Sequence, residues 1–559
     1  MVSPNLIKKS ESLYNVNLST KKLFQLIYGK KQKGEGRNYD DDTPKIHVSR
    51  IVSRLSFLYE KLRQAVDYDD EHLLRKNAIK RILKRKIFIE SVVKAYDGEE
   101  ISMNLLTELI QAGYLPNNQV PEVKIGEVAK LLDKYIELRK HFRKTYSSTF
   151  DISSSESEEK NKLNNWIISL AATEIEENLG RDEVKKLIVA NMFEILSKSI
   201  KLPPDLPYKK DLEIQIYLSV ARNYAKLDQE MLAFFAFKYY NNWEEADDEQ
   251  LDKIAHNLNA IYEAVTFQLK HPLIKQIDSI VRRYSLYFTI LMETISDNPT
   301  KIYENAISNT RVFLTFIKEK CEKKYGRIKN KLWRSGLRSI IYIFLTKSVF
   351  VLALEIPMIK LFGEPLNPVS LAINISFPAV LLFVMIIFTK TPDKQNTEKI
   401  IEGIKEITFT EYSRRQPFVL RQPTKRGSVM NIFFNLLYAC TFCLSIYLLI
   451  KLLNFIQFNW VSITIFLFFL MFVSFFSFRI KRDVKQYVIT EERETFLGFI
   501  FDFFYMPIVA VGKFLSDNVS RINVFIFILD FIIEAPFKVV VSVIEEWTKY
   551  LKERKEDLS

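Results

Sequence analysis

From Ile340 to Phe362 the chain is apolar apart from Lys347, Glu355 and Lys360. A helix of that length crosses a hydrocarbon core of about 30 Å. Few other structures are open to such a segment, because lipid offers no partner for a backbone N–H or C=O and each must be satisfied within the fold. A second apolar run, Val369 to Phe388, follows the turn Gly363-Glu364-Pro365-Leu366-Asn367-Pro368 and contains Pro378, which transmembrane helices tolerate. The third and fourth runs cover about 430–453 and 460–478, and the connection around Asn454, Gln457 and Asn459 joins them. Trp460 suits a membrane–water boundary. Residues 339–480 therefore read as a four-span membrane domain, with spans at about 340–362, 369–388, 430–453 and 460–478.

Cations set the expected orientation, since short Lys- and Arg-rich flanks stay on the cytoplasmic side. Lys318, Lys320, Lys323, Lys324, Arg327, Lys329, Lys331, Arg334 and Arg338 precede the first span. Lys390, Lys394, Lys399, Lys405, Arg414, Arg415, Arg421, Lys425 and Arg426 separate the second from the third, and Arg479, Lys481, Arg482 and Lys485 follow the fourth. The two turns on the other side have only Lys360 and Lys451 at their edges. Both termini are expected in the cytoplasm and the protein in the cell membrane. Met1 to Thr20 is polar and has no apolar signal core, so the first span is expected to act as the targeting signal.

Two further apolar stretches, Phe496–Val511 and Ile522–Val543, are interrupted by charge. In the second, Asn523, Asp530, Glu534, Lys538 and Glu545 recur at spacings of seven, four, four and seven, which places them on one stripe of a helix. Asp502, Lys513 and Ser520 make a similar stripe on the first. Residues 481–559 are expected to hold two amphipathic helices, lying in the cytoplasmic interface or packed as a hairpin against the spans.

The part before the spans is charged and helical in pattern. Residues 1–45 read as a short helix and a flexible linker, and 46–146 as a helical subdomain in which Ile51, Leu55, Leu58 and Leu62 recur at helical spacing. Residues 147–162 form a Ser/Glu-rich linker, and 163–338 a second helical subdomain with a basic juxtamembrane end. No sustained β alternation appears, so the expected class is all-α: a large helical cytoplasmic region, four spans and two amphipathic helices.

Little in the sequence carries recognisable chemistry. Glycine is scarce, at 14 residues, which disfavours nucleotide folds that need it for close approach to phosphates. P-loop, nucleophile-elbow, kinase and metalloprotease patterns are absent, so no catalytic, cofactor-binding or metal-ligating residue is assigned and no cofactor is expected. Cys440 and Cys443 have a redox spacing but lie inside an apolar helix, where packing accounts for them. Arg75, Lys80, Arg81, Lys84 and Arg85 are candidates for contact with anionic lipid or an acidic partner. The net charge of +13 belongs with cytoplasmic flanks, and no glycine–aromatic pattern supports nucleic acid.

Lys347, Glu355 and Asn374 are the candidate intramembrane polar groups, because burying ionisable side chains in lipid costs several kcal/mol by order of magnitude, about 3 or more. Asp502, Asp530, Glu534 and Lys538 are the candidate interfacial ones. The leading expectation is a membrane-anchored helical scaffold that recruits a cytoplasmic protein partner. The alternatives are an oligomeric channel or transporter with a cytoplasmic regulatory region, and an intramembrane or interfacial enzyme using Asp502, Asp530 and Glu534 as acids. The partners expected are the bilayer and either a cytoplasmic protein or further copies of the chain.

Overall fold

The computed structural model describes residues 15–35, 44–48, 70–90, 98–147, 154–180, 182–412, 416–423, 427–489 and 496–521, with single positions between and beyond them. Among these residues the chain is helical except for short turns, isolated bridges and two two-residue strands, β1 (Ile200–Lys201) and β2 (Phe418–Val419), paired in parallel. It divides into two compact units. One takes in the described residues of Lys21–Ser285 and Arg414–Gln422, the other those of Met1–Thr20, Leu286–Ser413 and Pro423–Asn523.

The first unit is a helical body built from most of α1 (Leu18–Glu35), then α2 (Glu71–Glu90), α3 (Gly98–Gln111), α4 (Val123–Ser147), α5 (Ser154–Leu179) and α6 (Glu183–Ser199). After β1 come α7 (Leu212–Asn223), α8 (Gln229–Asn241), α9 (Asp248–His256) and α10 (Leu258–Leu269). Aspartates start several of these helices by accepting an otherwise unpaired backbone N–H: Asp228 from Met231 and Asp247 from Gln250, both at 2.9 Å. Pro203, Pro204 and Pro207 hold α6 and α7 apart.

Trp243 is 1% exposed, lies 4.9 Å from Tyr135 and 5.2 Å from Phe237 between ring centroids, and donates its Nε1–H to Glu174 at 2.7 Å. One apolar core runs through this body from Ile46 to Val265. The stretches expected as separate subdomains, 46–146 and the first part of 163–338, therefore share a core. The Ser/Glu-rich stretch between them is not all linker, since α5 begins at Ser154. Glu158 and Glu159 stand in its first turns, where carboxylates favour a helix N-terminus. In the same way α1 continues through Gly29 to Glu35.

The division between the units falls within α11 (Ile274–Asp297). In the second unit follow α12 (Pro299–Ser308), the 41-residue α13 (Thr310–Phe350), α14 (Ile356–Leu361), α15 (Pro368–Ile387), α16 (Lys394–Thr408), α17 (Ser428–Phe455), α18 (Trp460–Lys485) and α19 (Phe496–Arg521). Among the described residues, five helical stretches are long and apolar enough to cross a membrane: Thr310–Leu361, Pro368–Ile387, Ser428–Phe455, Trp460–Arg482 and Gly498–Ser516. Large apolar side chains point outward from them, among them Val429, Phe455 and Phe388. An outward apolar surface of this extent suits lipid and not water.

The first four stretches include the four expected spans. The fifth, in α19, packs against α17 and α18. Gly512 lies so close to α18 that a Cβ there would sit 2.0 Å from the Met471 carbonyl oxygen, and the Ser445 hydroxyl on α17 donates to the Phe504 carbonyl at 3.2 Å. Small residues allow this approach of backbones between apolar helices. Asp502 on α19 is exposed, while Asp530, Glu534 and Lys538 lie outside the described residues.

Two asparagines organise the turns opposite the basic flanks. Asn367 caps α15 through Val369 N–H at 3.0 Å, and Asn459 caps α18 through Ser462 N–H at 2.8 Å. Each also reaches the other turn, Asn367 donating to the Gln457 carbonyl and Asn459 to the Pro365 carbonyl, both at 3.4 Å. Gly363, at φ +68°, supplies the left-handed residue that ends α14. At the other end, buried Asn396 on α16 donates to the Tyr325 hydroxyl and the Tyr487 carbonyl at 2.9 Å and accepts from Ile489 N–H at 2.7 Å, fixing α16 against α13.

Candidate functional site

Three apolar helical stretches meet at one carboxylate. Glu355 is fully buried, and its Oε1 accepts from Asn374 Nδ2 on α15 at 2.6 Å and from the Ser462 hydroxyl on α18 at 2.7 Å. Asn374 Nδ2 also approaches the Ser462 carbonyl at 3.4 Å. The second carboxylate oxygen, Oε2, lies 4.0 Å from Lys347 Nζ, and neither side chain is exposed at all. Lys347 Nζ sits 3.9 Å from the Phe469 ring centroid on α18 and 5.6 Å from that of Phe350, so two aromatic faces cover the ammonium. The sequence singled out Lys347, Glu355 and Asn374 separately; the fold brings all three together and adds Ser462.

The backbone makes the pairing possible. Lys347 and Glu355 are eight residues apart, a separation that turns a regular helix about 80° past alignment. Between them Val351–Glu355 forms a π turn, in which Ile356 N–H bonds to the Val351 carbonyl five residues back. The extra residue in that turn returns the two side chains to one face. Pro357, in the first turn of α14, brings no N–H and crowds the carbonyl four residues before it, which accounts for a break in the regular ladder here. Lys347 Nζ, Glu355 Oε2 and Asn374 Oδ1 make no hydrogen bond among the described residues, so the junction keeps polar capacity in reserve.

The basic candidates on α2 lie in the helical body, and most are engaged by carboxylates. Arg75 donates from Nε and Nη2 to the two oxygens of Glu176 at 2.7 Å each. Lys80 meets Glu230 at 2.5 Å, Arg81 meets Glu60 at 2.9 Å and Arg85 meets Glu108 at 2.6 Å, while Lys84 is exposed. Lys76, buried at 1% exposure, pairs with both Asp228 and Glu230. Burial pushes the Glu176 carboxyl upward from its ordinary pKa even against the bidentate guanidinium. These cations tie α2 to its neighbours and leave only Lys84 of the five as a free outward charge among the described residues.

His141 on α4 faces Asp252 through Nδ1 at 2.9 Å and Asp248 through Nε2 at 3.0 Å, with Glu137 close by. Through these contacts His141 links α4 to α9. The junction at Glu355 remains the constellation with the greatest chemical capacity among the described residues. No known family, curated protein or solved structure matches the chain.

Removing one member of a buried pair strands the other charge, at a cost of about 3–5 kcal/mol, whereas removing both is far milder. Lys347→Met and Glu355→Gln are each expected to lower the unfolding temperature of the purified protein sharply. The double variant should recover most of that loss. Losses that simply add in the double variant would mean that the two groups do not interact.

Proposed function

We propose that the chain is a multi-pass protein of the cell membrane in which the apolar helices anchor the helical body at the cytoplasmic face, where it acts as an adaptor for a protein partner. What carries the reading is the meeting of polar side chains from three helical stretches at Glu355. Glu355 spends its hydrogen bonds on α15 and α18, and aromatic rings cover Lys347, an arrangement suited to holding helices together in lipid. The helical body has a core of its own, and the cations of α2 are largely paired. Its free surface includes Tyr239, Tyr240 and Phe267, each about half exposed. In this reading the Lys- and Arg-rich segments and both termini face the cytoplasm, through four crossings, with α19 packed against α17 and α18.

A second reading, an oligomeric channel or transporter, draws on one feature: the π turn beside a charge pair that keeps unfilled hydrogen-bonding capacity. Such turns recur at functional sites, and intramembrane ionisable groups mark ion paths.

Photo-crosslinkers placed at Tyr239, Tyr240 and Phe267 of the full-length protein in intact cells separate the two. The adaptor is expected to give a stoichiometric adduct with one soluble protein. Adducts only between copies of the chain would contradict it and favour the pore. For orientation, single thiols at Glu364, Gln457 and Ser559 are introduced into a variant lacking Cys321, Cys440 and Cys443. A membrane-impermeant maleimide added outside is expected to label the first two and spare Ser559. Labelling at Ser559 would make α19 a fifth crossing.

A further inference from the structure

A cleft of about 550 Å3 opens in the second unit between the end of α11 and the middle of α13, with Tyr487 after α18 at its side. Five cations line it, against two carboxylates. Lys320 is held by Asp297 at 2.9 Å and Lys324 by Glu293. Lys323, Arg327 and Lys331 remain, all exposed and without a carboxylate partner among the described residues. They are four residues apart on α13 and so form a single stripe, with successive groups about 6 Å apart along the axis.

The depth of this stripe follows from the packing around it. Ile328 and Leu332 join a cluster with Leu382, Ile386, Val473 and Val484, and a Cβ on Gly336 would press on the Ile386 side chain. The Trp333 ring meets Phe383 edge-on at 6.4 Å between centroids. Leu382, Phe383 and Ile386 are in the last two turns of α15, whose apolar run ends at Ile387. The apolar end of the bundle is thus level with residues 328–336 of α13. Lys331 stands at that boundary, Arg327 one turn beyond it and Lys323 a further turn out. The headgroup layer is about 5–7 Å deep on each side of the hydrocarbon, so the stripe begins within it and extends past it.

We propose that this cleft binds the headgroup of a polyanionic phospholipid, one carrying two phosphates. Lys331 and Arg327 meet the phosphate nearer the hydrocarbon, and Arg327 and Lys323 the second. Arg327 is suited to the shared position because its planar fork grips phosphate oxygens in pairs, while the lysines act as point charges. The acyl chains then run down the outward apolar surface of α13, along Leu337 and Ile341, which are more than half exposed. General attraction between a basic flank and anionic lipid needs no cleft. The cleft adds a place for one headgroup, bounded on the α11 side by carboxylates that are already engaged. The proposal rests on the apolar helices crossing a bilayer, not on the adaptor role.

The test uses the full chain in phosphatidylcholine nanodiscs doped with cardiolipin, followed by stepwise delipidation and mass spectrometry of the retained lipid. Wild type is expected to keep cardiolipin in preference to phosphatidylglycerol at equal total charge. The variant Lys323→Gln, Arg327→Gln, Lys331→Gln should lose it roughly a hundredfold more readily, the effect of three surface cations. A control with the same charge removed from the same segment outside the cleft, Lys318→Gln, Lys329→Gln, Arg334→Gln, should retain it like wild type. Equal retention by the two triple variants overturns the proposal. So does binding of inorganic pyrophosphate to the detergent-solubilised protein as tightly as cardiolipin, which would assign the cleft to a free anion. Failure of the wild type to enter nanodiscs at all would count against the membrane reading itself.

Discussion

A carboxyl group inside an apolar bundle has to find its hydrogen bonds within the protein, and around Glu355 this requirement brings three helical stretches together. Glu355 takes one donor from α15 and one from α18 and a cation from its own helix, so three stretches distant in sequence are referred to one point. Apolar contacts between helices in lipid are weakly directional, because acyl chains are as good a partner as leucine. A few polar contacts consequently carry much of the register. The asparagine-linked turns at one end and Asn396 at the other act in the same sense, each joining segments through side-chain amides whose geometry tolerates little sliding.

Charge is distributed along the second unit in a way that complements this framework. Cations collect at the end of the bundle where Lys331, Arg327 and Lys323 climb out of the apolar band, and the opposite turns are organised by asparagines. In the helical body the cations do different work. Arg75, Lys76, Lys80, Arg81 and Arg85 sit on one helix yet are taken up by carboxylates from four other segments, so the density of basic residues there reflects internal ties. The same residue types thus stand exposed at a cleft in one unit and serve as links between helices in the other.

Much of the membrane part could be read in the sequence because hydrophobic length is a direct physical requirement of the bilayer. The helical stretches expected at 340–362, 369–388, 430–453 and 460–478 are present, and Lys347, Glu355 and Asn374 stood out because polar groups in such runs are costly. Their convergence was not legible, since it depends on a π turn that shifts the face of Glu355 by one residue. Pro357 was the available clue to that turn. Ser462 escaped notice because serine in an apolar helix is common, usually bonding to its own backbone; only its place three residues after the cap Asn459 marks it. The Ser/Glu run at 154–162 was misleading in composition, since acidic residues that discourage a helix interior stabilise its first turns. Pairing of the α2 cations was beyond reach for a simpler reason: their carboxylates lie up to 154 residues away.

The central claim is that Glu355 is held within the bundle by Lys347, Asn374 and Ser462. Dicyclohexylcarbodiimide, an apolar reagent that partitions into membranes and modifies protonated carboxyls, tests it directly when adducts are located by mass spectrometry on protein in its native membrane. Glu355 should resist modification in the wild type and become reactive in Lys347→Met, where the carboxyl has lost its cationic partner. Modification of Glu355 in the wild type at the rate seen in that variant would contradict the account, for it would mean that the carboxyl stands free of its partners and open to lipid.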